Sequence, residues 1–174
     1  MAEMMLADAV GTGLDLASIQ TLTEAAITFT GLAGLVSVLS RSELTPDMRT
    51  FRVRNMILLS LLVFFLSLAP QAAVLYGLAD ADVWRLSSAL LIVAQVAQFG
   101  FASMSVTNTE IDLFRPVSLV IFFMTGTSTV LALQVINAVP FWFEPSAAPF
   151  FVGLCWLMVI ATMHFFVLVM RART

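Results

Sequence analysis

Residues Thr23 to Arg54 read TEAAITFTGLAGLVSVLSRSELTPDMRTFRVR. The first half is apolar at almost every position and carries one carboxylate, Glu24; the second half holds Arg41, Arg49, Arg52 and Arg54. Charge is costly in hydrocarbon, and arginine is retained on the cytoplasmic side of a membrane. An apolar run that ends in a basic loop therefore reads as a crossing helix that stops at the cytoplasmic face. A crossing needs about 20 apolar residues at about 1.5 Å rise each. Working outward, four more segments satisfy this, so the sequence predicts crossings at about 16–40, 56–79, 83–106, 116–139 and 149–172.

The predicted fold class is thus all-α: a polytopic membrane protein with five transmembrane helices in one domain, 16–174, behind a short acidic tail, 1–15. Strands are disfavoured, since an open sheet edge leaves backbone groups unpaired in lipid and no alternating barrel pattern is present. Composition agrees. The chain is 60% hydrophobic and 11% charged, with a mean hydropathy of +1.01, against about 25% charge in a soluble domain. All eight basic residues are arginine, and the net charge is -3. That balance provides no basic face, so no nucleic-acid partner is expected. The single cysteine, Cys155, excludes a disulfide within the chain. The N-terminal stretch carries Glu3, Asp8 and Asp15 and no cation, unlike a signal peptide, and no cleaved targeting segment is expected.

Five crossings place the first loop, the third loop and the C-terminus on one side, which collects seven of the eight arginines. The positive-inside rule makes that side cytoplasmic and sets the N-terminus outside. Local signals refine the helices. Thr45-Pro46-Asp47 is a cap, a first-turn proline and a dipole-matched carboxylate, so the second helix starts near Pro46, bringing Arg49, Arg52 and Asn55 towards water or headgroups. Pro70 predicts a bend in that helix. Asp80 or Asp82 can cap the third, beside an interfacial Trp84 and Arg85.

Glu24, Phe29-Thr30-Gly31-Leu32, Gly34, Val36, Asp47, Arg49, Arg52, Ser60, Phe64-Phe65, Leu68, Pro70, Gly77 and Trp84-Arg85 form a pattern (E-x4-FTGLxG, then DxRxxR, FFxxLxP and WR). It resembles a family of small bacterial inner-membrane proteins with no known activity. The resemblance covers the first half of the chain. It implies a multi-pass protein of the bacterial inner membrane and a unit built on the first three crossings, and implies nothing about function.

Several residues are candidates for a site. Glu24, about two turns into a helix, reads either as an outer-interface residue paired with Arg85 or as an ion or proton site. Gln95 and Gln98 share a helix face, and Thr125, Thr127, Ser128 and Thr129 lie near mid-depth of the fourth crossing. This set can fasten helices to one another or line a wet path for an ion or small solute. Ala26, Thr30 and Gly34, with Gly31 beside them, form a small-residue face for close helix contact. His164 and Cys155 lack metal-site spacing, and a haem would need two copies of His164 from a symmetric dimer, so no metal and no cofactor is expected. No nucleophile, base and third group cluster in sequence, which disfavours a hydrolase.

Two functions fit these features. One is a small homo-oligomeric channel or permease, its path on the oligomer axis because five helices leave little lumen in one protomer. The other is a structural or accessory subunit meeting a membrane-protein partner through the Ala26, Thr30 and Gly34 face. The bilayer itself is the common partner of both.

Overall fold

A computed structural model describes residues 17–32, 34–35, 46–109, 117–139 and 144–170. The described chain is all-helical, with five helices. The first, α1, covers 17–32 and 34–35; the others are α2 (Pro46–Leu75), α3 (Asp80–Thr109), α4 (Val117–Ala138) and α5 (Ala147–Met170). Four of them contain stretches long and apolar enough to cross a membrane: Arg49–Leu75, Asp80–Met104, Ile121–Ala138 and Ala147–Val169. The N-terminal tail and Arg41 lie outside the described residues.

Local chemistry explains the helix ends. α2 begins at Pro46, where the missing N–H costs nothing, and runs on through Pro70 to Leu75. It ends in a Schellman motif: the Gly77 N–H donates to the Val74 carbonyl at 2.9 Å and the Leu78 N–H to the Ala73 carbonyl at 3.2 Å. Gly77 takes the left-handed conformation this demands, with φ of 77°. The tight turn reverses the chain, so α3 returns antiparallel along α2. At the start of α3 the carbonyl of Ala79 accepts from the Asp82 and Val83 N–H groups. Asp80 and Asp82 therefore sit in the first turn, favourable for the helix dipole, with Asp80 Oδ1 accepting from Trp84 Nε1 at 3.2 Å.

α2, α3, α4 and α5 form a four-helix bundle in which each neighbours the next, α5 closes back on α2, and α3 touches α5 across the middle. The core runs through Leu59, Val63, Leu91, Phe150, Leu154 and Leu157, with Trp84 packed on Phe150 at 6.4 Å between ring centres. α1 joins this core through Ile19 and Ala26, and its Phe29 meets Phe165 of α5 edge-on at 5.4 Å. Many large apolar side chains point outward, among them Phe65, Val93, Met104 and Ile121. In lipid, burying apolar groups drives helix association only weakly, because acyl chains are as apolar as leucine. Close packing and interhelical hydrogen bonds then carry the weight.

Two glycines show that packing. A Cβ on Gly126 of α4 would run into the Trp156 ring of α5, and one on Gly153 of α5 would strike Leu91 of α3 and Gln134 of α4. The absence of a side chain lets α4 and α5 approach closely at Gly126, and α3, α4 and α5 at Gly153.

Candidate functional site

The polar side chains of the bundle form a series of levels along its interior. At the end where α4 turns into α5, Asn137 Nδ2 donates to Ser88 Oγ at 2.8 Å and to the Ser146 carbonyl at 3.0 Å, while Asn137 Oδ1 accepts from the Ser146 N–H at 2.9 Å. One amide thus ties α3 and α4 to the residue preceding α5. Almost one turn deeper, fully buried Gln134 donates through Nε2 to the Pro149 carbonyl, which lies in the first turn of α5.

Gln134 also lies against Gly153, as does Leu91. α3 and α5 run parallel, since both are antiparallel to α4. Gln95, four residues beyond Leu91, is therefore level with Leu157, four beyond Gly153, about 6 Å further into the bundle. Gln95 is 5% exposed, and neither its Nε2 nor its Oε1 has a hydrogen-bond partner among the described residues; Gln134 Oε1 is likewise without one. One turn on, Gln98 Nε2 donates to Asn55 Oδ1 of α2 at 2.8 Å, and Asn55 Nδ2 donates to the Phe51 carbonyl at 3.0 Å.

The far end carries His164, whose ring meets Phe51 edge-on at 6.2 Å and whose Nδ1 is buried without a hydrogen-bond partner among the described residues. Arg52 is half-buried on α2, and Arg54 lies over the Phe101 ring at 5.0 Å. From Ser146 to His164 the series follows α5 for roughly 27 Å, close to the thickness of a hydrocarbon core at about 30 Å. Its members between the ends are uncharged.

Other candidates are placed differently. Thr127 Oγ1 accepts from Trp156 Nε1 at 3.1 Å, joining α4 to α5, whereas Thr125 is exposed. Glu24 is exposed on α1, and Arg85 pairs instead with Asp82 at 3.2 Å. The Glu24–Arg85 pair expected from equal depth is not formed, because Asp82 stands one turn back on the same helix and needs no second helix to present it. Ala26 is fully buried in the protomer's own core, Thr30 and Gly34 are half-buried, and Gly31 is exposed. The small-residue face thus gives at least Ala26 to the protomer itself.

Asn55 is a correction to the sequence reading: it is 2% exposed and faces Gln98 rather than water. Asn137, Ser88 and Trp156 were not among the sequence candidates, although Asn137 lies near the end of α4 and Ser146 just before α5. Thr23 of α1 adds one more interhelical link, its hydroxyl 2.6 Å from Ser67 Oγ of α2. Among the described residues no group of three or more histidine, cysteine or acidic side chains gathers to hold a metal. Comparison with protein-family models, with curated proteins and with solved structures finds no match to this chain.

Proposed function

We propose that the chain is a multi-pass integral membrane protein of the bacterial inner membrane, a single five-helix unit with its N-terminus outside and C-terminus cytoplasmic, acting as a structural or accessory subunit. The observation that supports this is where the polar side chains point. Gln98 bonds Asn55, Asn137 bonds Ser88, and Trp156 bonds Thr127, each pair between two helices of one protomer. Gln95 is buried in the same interior. A pore on an oligomer axis needs these groups on an outer face, in a ring around water. Apart from the exposed hydroxyl residues Thr125, Ser128 and Thr129 of α4, the outer faces present large apolar side chains such as Val93, Val96, Phe99 and Ile121, suited to lipid or to an apolar surface of a larger membrane complex.

Orientation rests on the arginines, seven of the eight on the cytoplasmic side. A homo-oligomeric channel or permease is the second reading. It draws on Glu24 and Thr125, which are exposed on α1 and α4 and so available to an axis between copies. Reconstitution into vesicles separates the two. The accessory reading expects ion and small-solute leakage equal to that of empty vesicles. Protein-dependent flux abolished by Glu24→Gln would establish the channel instead.

A further inference from the structure

We propose that Gln95 and Gln134 hold buried water inside the protomer, a site between the Asn137 clasp and the Gln98–Asn55 pair. This goes beyond the accessory reading and stands whether or not that reading holds. Three polar atoms carry it: Gln95 Nε2, Gln95 Oε1 and Gln134 Oε1, all buried and without hydrogen-bond partners among the described residues. Gln95 is 5% exposed and Gln134 fully buried, so neither amide reaches bulk solvent. An unsatisfied buried amide is costly, and native interiors pair such groups with protein or with ordered water.

The contacts restrict what the partner is. Leu91 and Gln134 both meet Gly153, and Gln95 follows Leu91 by one turn on the same face, so its backbone lies about 6 Å along the bundle from that level. The two amides do not bond each other, since Gln95 Nε2, Gln95 Oε1 and Gln134 Oε1 are all without partners among the described residues. Water donates twice and accepts twice, so one or two molecules satisfy a donor and two carbonyl oxygens. Leu91 lies beside Gln134 at Gly153, and helix rise brings Leu157 to the level of Gln95; both leucines are buried and apolar. Among the described residues Gln95 and Gln134 themselves are neutral, so the site suits an uncharged ligand better than an ion.

The site is tested by radiolytic hydroxyl labelling of the full chain in mild detergent, in which radicals formed from bound water mark the side chains around it. Leu91 and Leu157 should be labelled severalfold above Val63 and Ile19 after correction for intrinsic reactivity, although all four are buried. Gln95→Met, similar in shape but unable to hold water, should return Leu91 and Leu157 to that background. Equal labelling of the four residues in the unsubstituted chain would overturn the proposal, as would unchanged labelling in a folded Gln95→Met variant. The comparison within the unsubstituted chain decides the outcome if the variant does not fold.

Discussion

Asn137 and Ser88 face each other across α4 and α3 at 2.8 Å, and the same asparagine side chain exchanges two hydrogen bonds with the backbone of Ser146. A single amide therefore holds two helices and the entry to a third. Such bonds average about 0.6 kcal/mol in membrane proteins and reach about 1.7, but removing Asn137 takes the partner from three groups at once, the fully buried Ser88 hydroxyl and the Ser146 N–H and carbonyl. Asn137→Ala should lower stability by about 2–4 kcal/mol, measured by unfolding in mixed micelles. A loss no larger than that of Ser88→Ala would show that the Ser146 contacts contribute nothing.

The Gln98–Asn55 bond is the corresponding link between α3 and α2. In a double-mutant cycle with Gln98→Leu and Asn55→Leu, the coupling should be about 0.6–1.7 kcal/mol. Additive losses would place the two side chains in separate environments.

Close packing makes its own prediction. Because a Cβ at Gly126 meets the Trp156 ring, Gly126→Ala should cost about 1–3 kcal/mol, and Trp156→Leu should recover part of it in the double variant. The Trp156 single variant also loses the bond to Thr127, so recovery is judged by the cycle rather than by either single loss.

At the α2–α3 turn, Gly77 has φ of 77°. Gly77→Ala should destabilise by about 1 kcal/mol and Gly77→Asn by less, since asparagine tolerates the left-handed region better. Equal effects of the two substitutions would argue that the turn relaxes to another conformation.

Arg85 pairs with Asp82 on its own helix while Glu24 stands exposed on α1. Glu24→Gln and Arg85→Gln should therefore be additive within about 0.5 kcal/mol. A coupling well above that would restore the interhelical pair that the sequence suggested.

The helical class and approximate helix positions were legible in the chain because lipid imposes a simple demand: a run of about 20 apolar residues with its backbone bonded internally. Pro46 marked the start of α2 for a reason local to the chain, the lost N–H. Side-chain partners were not legible in the same way. Asn55, beside three arginines, looked as if it belonged with them at the membrane face; its burial against Gln98 depends on how α2 rotates towards α3, which no residue near it determines. Gln95 and Gln98 were recognisable as one face, yet whether that face turned inward depended on the whole bundle. Local periodicity says which residues go together, and packing decides what they meet.

Gln98, Asn55, Asn137, Ser88, Trp156 and Thr127 make their hydrogen bonds inside one protomer, between its own helices, rather than on an axis between copies. This arrangement is tested most directly by the molar mass of the purified protein in mild detergent, from light scattering corrected for bound detergent. The expected result is a single chain of 18.9 kDa, or that chain within a complex containing a different membrane protein. A mass equal to a higher whole multiple of 18.9 kDa, a closed homo-oligomer, would contradict it.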